Sequence, residues 1–204
     1  MIPERVDGKK LYIFDLGGVT LDNVDLRPEW LSQIKVDKDE FYHTYNEYIW
    51  PIMDGTITTE SFYRHLESYF GIKIEGEPFL EYFRPVLNQD VVDTIKRLRE
   101  DGNRVVTGTN ICTPHWGYIK KQGWDRFFDA CYPSQEIRLA KPYSVFYNYI
   151  LEKEKFSAID AVMIDDGKEN IEGAKRVGMK TFHLTTEFDR KKLYDSLLSI
   201  WNQG

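Results

Sequence analysis

Leu11-Tyr12-Ile13-Phe14-Asp15-Leu16-Gly17-Gly18 is the stretch whose reading decides the fold. Four apolar residues in a row run directly into a carboxylate, and two glycines follow shortly after. This is the pattern of a short buried strand that stops in a loop. Further along, Arg104-Val105-Val106-Thr107 repeats it and ends in small polar residues at Thr109-Asn110. Ala161-Val162-Met163-Ile164 repeats it again and ends at Asp165-Asp166. Phe127–Tyr132 is expected to form another strand, and Lys180–Leu184 a last short one.

Helical patterns lie between these runs. Val91, Val92, Ile95 and Leu98 recur at helical spacing, with Asp90 as the expected N-cap, Arg99 as the last residue and Gly102 just beyond. Pro142 is expected to open a helix reaching Lys153, since proline suits the first helical position. A third helix is expected over Glu169–Val177, stopped by Gly178, and an amphipathic one over Glu187–Trp201. Strands alternating with helices predict an α/β, Rossmann-like core: a mostly parallel sheet with helices on both faces. In such sheets ligands bind beyond the carboxyl ends of the strands. Three of the expected strands deliver polar clusters to that edge.

Residues 23–87 follow a different pattern, without a good strand signal. Phe41, Tyr45, Tyr48 and Ile49 recur at three- and four-residue spacing up to a turn at Asp54-Gly55. Phe62, His65, Leu66, Tyr69 and Phe70 repeat the pattern up to Gly71, and Phe79, Tyr82 and Phe83 suggest one more helix. The expected organisation is a core of residues 1–22 and 88–204 carrying a small all-helical insertion over 23–87. Trp30, Tyr42, Tyr45 and Trp50 read as the core of that insertion. His65 and His183 fall on apolar faces and read as structural. His43 and His115 lie nearer the expected site, with surface or packing roles favoured.

Composition narrows the function classes. The chain has 204 residues, 42% hydrophobic and 29% charged, with a formal net charge of −6, which argues against nucleic acid as a partner. Lys120-Lys121 and Arg190-Lys191-Lys192 are short basic runs, expected on solvated helix faces. Cys112 and Cys131 are the only cysteines, in no metal-ligand spacing, so a reduced, cytoplasmic setting is expected. Met1–Arg5 lacks the apolar core of a signal peptide, and no run is long and apolar enough to cross a bilayer.

A carboxylate at the end of a buried strand can act as a nucleophile toward phosphorus. Its attack on a phosphate dianion is opposed by repulsion, so the site needs positive charge. A divalent metal supplies it, and magnesium takes one or two carboxylates while keeping several waters. Asp15 with Asp166, assisted by Asp165, makes such a set. Lys141 is the basic group expected to balance Asp15 and hold a phosphate oxygen. Thr109 and Asn110 add hydroxyl, amide and backbone donors.

Phe14-Asp15-Leu16-Gly17-Gly18-Val19-Thr20-Leu21-Asp22 resembles the first motif of the haloacid dehalogenase superfamily. Val105–Asn110 is similar to the second, Lys141-Pro142 to the third, and Ile164–Asn170 to the fourth. The order and separations agree across essentially the whole chain, and the helical insertion matches the family's first type of cap. The glucose-1-phosphate phosphatase-like members resemble it most in motif style, with Asn170-Ile171-Glu172-Gly173-Ala174 supporting them. The resemblance implies Asp15 as nucleophile, Thr109 and Asn110 as phosphate binders, and Lys141 as the charge-balancing lysine. It implies magnesium held by Asp15, the Gly17 carbonyl and Asp166, with Asp165 and Asn170 binding or orienting metal waters. The expected activity is hydrolysis of a small phosphorylated metabolite, a sugar phosphate foremost, through an aspartyl-phosphate.

One position departs from the pattern. Many members carry a second aspartate two residues after the nucleophile, which protonates the leaving group; here that residue is Gly17. A missing general acid typically costs about 10²–10⁴-fold in rate. A slow phosphatase, a replacement acid, and an enzyme restricted to good leaving groups are all open. Two other activities also remain: metal-independent carbon–halogen hydrolysis, and a phosphate-binding regulatory protein of little turnover.

Overall fold

The computed structural model describes residues 8–202; the reading of Met1–Arg5 lies outside them. The chain enters through β1 (Leu11–Phe14) and, after a tight loop, forms β2 (Leu21–Asp22). Four helices follow: α1 (Arg27–Gln33), α2 (Lys38–Met53), α3 (Thr59–Phe70) and the single turn α4 (Pro78–Glu81). The chain returns through β3 (Val86–Leu87), which pairs antiparallel with β2 and so forms a neck under the helical segment. Then come α5 (Gln89–Glu100), β4 (Arg104–Thr109), α6 (Thr113–Gln122), β5 (Ala130–Pro133), α7 (Ser134–Ile137) and α8 (Ser144–Glu154). β6 (Ala161–Asp165), α9 (Lys168–Arg176), β7 (Lys180–His183) and α10 (Leu193–Asn202) complete the described chain.

The main sheet has the order β5-β4-β1-β6-β7, all parallel. β1 is central, with Phe14 opposite Thr107 on one side and Ile164 on the other. The connections run outward from β1 to β4 and β5, then cross back to β6 on the far side. The strand order therefore reverses at β1, and a crevice opens beyond its carboxyl end.

Burial explains why β1 shows no polar alternation. Tyr12 and Phe14 join a cluster with Val91, Ile95 and Leu98 of α5 and Leu193 and Leu197 of α10. Leu11 and Ile13 face the other way, into Phe146, Tyr147 and Ile150 of α8 and Ala174 of α9. Full burial of a large apolar side chain stabilises by about 1.5–3 kcal/mol, against about 1–2 kcal/mol to order each backbone residue. The strand is thus held by both layers at once. The helical segment has its own cluster around Trp30, which meets Phe41, Phe62, Tyr63 and Phe79 edge-on at 5.3–6.1 Å.

Several expectations are corrected. Phe127–Tyr132 does not form one strand: Trp124–Phe127 is a 3-10 turn, and β5 begins only at Ala130. The expected Pro142 helix starts two residues later, at Ser144, because residues 141–142 belong to the loop gripped by Asn110. The cap of α5 is Asn88, whose side chain accepts from the Val91 N–H, while Asp90 lies within the first turn. The C-terminal helix begins at Leu193, preceded by a 3-10 turn over Arg190–Lys192. Arg190 is not on a solvated helix face: its Nη2 reaches the Gly18 carbonyl at 3.1 Å and Asp22 at 3.2 Å. Trp50, expected in the core of the helical segment, is 50% exposed. No described helix is long and apolar enough to cross a membrane.

Candidate active site

Asp15 stands at the carboxyl end of β1, 8% exposed, its N–H bonded to the Ile164 carbonyl of the neighbouring strand at 3.0 Å. Its Oδ1 accepts the Leu16 N–H at 2.7 Å, and its Oδ2 lies 2.9 Å from Lys141 Nζ. The loop that follows is tightly wound. Within it the Gly18 N–H donates to the Leu21 carbonyl at 2.8 Å, and the Leu21 N–H to the Leu16 carbonyl at 2.7 Å. Thr20 donates its hydroxyl to the Asp15 carbonyl at 2.8 Å. Gly18 has φ +71°, and a Cβ there would overlap the Asp166 carboxylate, so glycine is required twice over. That absence of a side chain lets the first loop press against the fourth motif.

Lys141 is the charge centre. It is 0% exposed, and its Nζ lies 2.6 Å from Asp165 Oδ2 as well as 2.9 Å from Asp15. The side-chain amide of Asn110 fixes its backbone from both sides, accepting the Lys141 N–H at 2.9 Å and donating to the Lys141 carbonyl at 2.9 Å. The Asn110 amide is therefore engaged in holding the lysine loop. Thr109 sits beside it at the end of β4, buried and on the wall of the same cavity. From the other side, Gly173 of α9 admits the same loop: a Cβ there would meet the Pro142 carbonyl oxygen at 2.5 Å.

Asp165 and Asp166 are adjacent but differently placed. Asp165 is 0% exposed, with Oδ2 on Lys141 and Oδ1 accepting from the Gly167 N–H at 2.8 Å and from Asn170 Nδ2 at 2.9 Å. Both of its oxygens are used. Asp166 reaches toward the crevice, with its carbonyl held by His183 Nε2 at 2.8 Å. Oxygens of Asp15, Asp165 and Asp166 all lie within 4.8 Å of one another. Three carboxylates against one ammonium leave two negative charges, the complement of a divalent cation, and an all-oxygen donor set suits a hard one.

Electrostatics follow from burial. Desolvation pushes the Asp15 carboxyl up to about 7, opposed by Lys141 and reinforced by Asp165 and Asp166. Burial pulls Lys141 down, but Asp15 and Asp165 outweigh it and hold the ammonium above its ordinary range. Burial also raises Asp166, with Asp165 adding to the shift.

The carboxylates open into a cavity of about 310 Å³. Asp15, Asp166, Thr109 and Asn110 form its polar end. Leu16, Leu21, Val24, Met53, Phe83 and Ile111 line much of the rest, with Tyr45 and His115. His115, read from sequence as a packing residue, is both packed and part of this wall. Its ring stacks on Phe83 at 3.8 Å, it is 7% exposed, and its Nε2 has no hydrogen-bond partner. Burial pulls its pKa down to about 3, so the imidazole is neutral.

A family model described as haloacid dehalogenase-like hydrolase matches residues 9–178. The chain belongs to that family. The hydrolase is 28% identical over 186 residues to a sesquiterpene phosphatase from Aspergillus oryzae, covering 86% of this chain and 90% of the relative. It is 31% identical over 94 residues to a ribulose-1,5-bisphosphate 5-phosphatase from Halopiger xanaduensis, covering 45% of this chain and 39% of that one. Among solved structures, a HAD-like family hydrolase from Porphyromonas gingivalis superposes with TM-score 0.80 at 21% identity, over 93% of this chain and 98% of that one. A HAD family enzyme from Bacteroides thetaiotaomicron, crystallised with magnesium and inorganic phosphate, superposes with TM-score 0.77 at 21% identity, over 92% and 100%. At these identities the structures establish the fold.

Of the residues singled out from sequence, the hydrolase brings Asp15, Lys141, Asp165, Asp166, Asn170, Thr109 and Asn110 to one sheet edge. His43 is elsewhere, 3.4 Å from Glu47 on the surface of α2, and His65 stacks on Tyr48. Sequence reasoning missed the clamp of Arg190 on the loop that follows Asp15. It also missed Ser134, whose hydroxyl ties the Met53 carbonyl at the end of α2 to the Ile111 N–H beside the site. A lone serine carries no local signal, and the basic run Arg190-Lys191-Lys192 reads as a solvated face rather than as a clamp on a distant loop.

Proposed function

We propose that the hydrolase is a magnesium-dependent phosphomonoesterase with Asp15 as its nucleophile, residues 23–87 acting as the cap over a core of residues 1–22 and 88–204. The observation that carries this is the gathering of Asp15 and Asp166 at the polar end of a cavity, with the buried Lys141–Asp165 pair directly behind them. An Asp15 oxygen bonds to phosphorus as the bond from phosphorus to the organic oxygen breaks. Water then attacks phosphorus, the aspartyl bond breaks, and phosphate leaves with Asp15 restored. Lys141 orients Asp15 and holds a phosphate oxygen; the Thr109 hydroxyl and the Asn110 backbone hold others. Magnesium fits Asp15, Asp166 and the Gly17 carbonyl, while Asp165 and Asn170 stand behind and fix the turn. When bound, it supplies the positive charge that offsets carboxylate–phosphate repulsion.

Among the described residues, no group on the leaving side of the cavity is set up as an acid. His115 is neutral at neutral pH and its remaining N–H is too weak an acid, and burial holds the Tyr45 hydroxyl above its ordinary range. The leaving oxygen therefore takes its proton from water, which favours good leaving groups. Carbon–halogen hydrolysis of an anionic acid is disfavoured by the three carboxylates. The test is turnover of p-nitrophenyl phosphate, whose leaving group needs no proton. Magnesium-dependent release, lost in Asp15→Asn, is expected. Phosphate binding without turnover would replace the enzyme with a binding protein, and magnesium-independent chloride release would restore the dehalogenase.

A further inference from the structure

The two phosphatase relatives carry names at opposite ends of polarity, a sesquiterpene and a sugar bisphosphate, and so leave the substrate class open. The cavity wall is more decisive. We infer that the hydrolase acts on phosphate monoesters whose organic group is apolar, a chain or ring of hydrocarbon character, seated against Leu21, Val24, Met53, Phe83 and Ile111. This deepens the phosphomonoesterase reading and rests on it.

One cavity runs from the Asp15–Asp166 end to Tyr45 and Met53 of α2, so a phosphate at its polar end directs its ester group toward that wall. A sugar there would place several hydroxyls where only Tyr45 and His115 offer side-chain polar atoms. A hydroxyl buried without a partner loses its hydration and gains nothing in return. An apolar group meets the opposite balance, because every methylene removed from water is favourable. Among the described residues no lysine or arginine lines the cavity to receive a second phosphate, which also argues against a bisphosphate. The wall is well supported from behind: Phe83 lies between His115 and Tyr118, and Tyr45 is stacked on Phe79.

The experiment uses the whole chain with magnesium and two parallel series. The first is turnover of n-alkyl phosphates of increasing length, beside hexose 1- and 6-phosphates and p-nitrophenyl phosphate. The second is calorimetric binding of the corresponding n-alkylphosphonates, which cannot be hydrolysed. Affinity and kcat/KM are expected to rise by up to about fourfold per methylene until the cavity is full. Alkyl esters are expected to exceed hexose 6-phosphates, whose leaving oxygen is also a primary alkoxide, by at least about tenfold. Met53→Gln is expected to flatten the chain-length dependence of phosphonate binding. A flat phosphonate series, or hexose 6-phosphates as better substrates than the alkyl esters, overturns the inference. Turnover absent on every ester while phosphonate affinity still climbs with length upholds the apolar pocket and overturns the phosphatase reading instead.

Discussion

Replacing His115 by phenylalanine should remove a measurable share of the protein's acid sensitivity. The ring is 7% exposed, lies flat on Phe83 at 3.8 Å and tilts against Phe79 at 5.5 Å, and its Nε2 has no partner to lose. Burial lowers its folded pKa to about 3, with a backbone contact at Phe79 opposing that shift. In the unfolded chain a histidine titrates near 6.5, so acid protonates the unfolded state first. The stability tied to the neutral ring is present above that value and is lost as pH falls from about 6.5 toward 3. Between about pH 7 and about pH 5 the unfolded imidazole gains about 2 kcal/mol of protonation free energy that the folded one does not. Urea unfolding of both proteins at those two pH values isolates the group, since all other titrations are shared. The wild type should lose about 2 kcal/mol more than His115→Phe on acidification. Equal losses, within about 0.5 kcal/mol, would show that the imidazole is solvated or charged in the folded state and would refute the packing argument.

Two further expectations concern the carboxylate cluster. Lys141→Met removes the ammonium shared by Asp15 and Asp165, leaving buried carboxylates unpaired. It should cost about 3–5 kcal/mol in urea unfolding and abolish p-nitrophenyl phosphate turnover; a fully stable variant would mean the pair is not desolvated. At Gly17 the nearest atom to an added Cβ is Val24 Cγ2 at 3.5 Å, an ordinary contact, and φ is not positive, so Gly17→Asp is sterically allowed. It should raise kcat on alkyl phosphates by about tenfold to a hundredfold relative to nitrophenyl phosphate; equal changes on both would count against the missing-acid account.

Much of the site was legible because the chemistry sits at strand ends, and strands buried on both faces announce themselves as apolar runs. Asp15, Thr109 and Asp165-Asp166 each follow such a run directly, so finding β1, β4 and β6 located them. Lys141 follows no strand, and periodicity alone would have left it on a surface loop. Its burial depends on Asn110 gripping its backbone across 31 residues of chain, which only the fold reveals. β5 was misplaced because Phe127 and Phe128 look like strand residues but pack as a turn on the α5 side of the sheet. Gly18 and Gly173 could be seen as glycines but not as points of contact, since what a Cβ would strike is decided by a partner far away in sequence. Arg190 misled for the opposite reason: it sits in a basic run, yet its partners Gly18 and Asp22 come from the other end of the chain.

The central position of β1 bears on how the molecule is made. Leu11–Phe14 is synthesised well before the strands that flank it, which lie at residues 104–109 and 161–165. Until both have been synthesised, an apolar ribbon with two open edges waits in the nascent chain, where unpaired strands invite self-association. The helices between residues 27 and 81 gather mostly around neighbours close in sequence, so they can collapse early on their own. Truncation before residue 161 should therefore yield aggregates rather than a smaller folded protein.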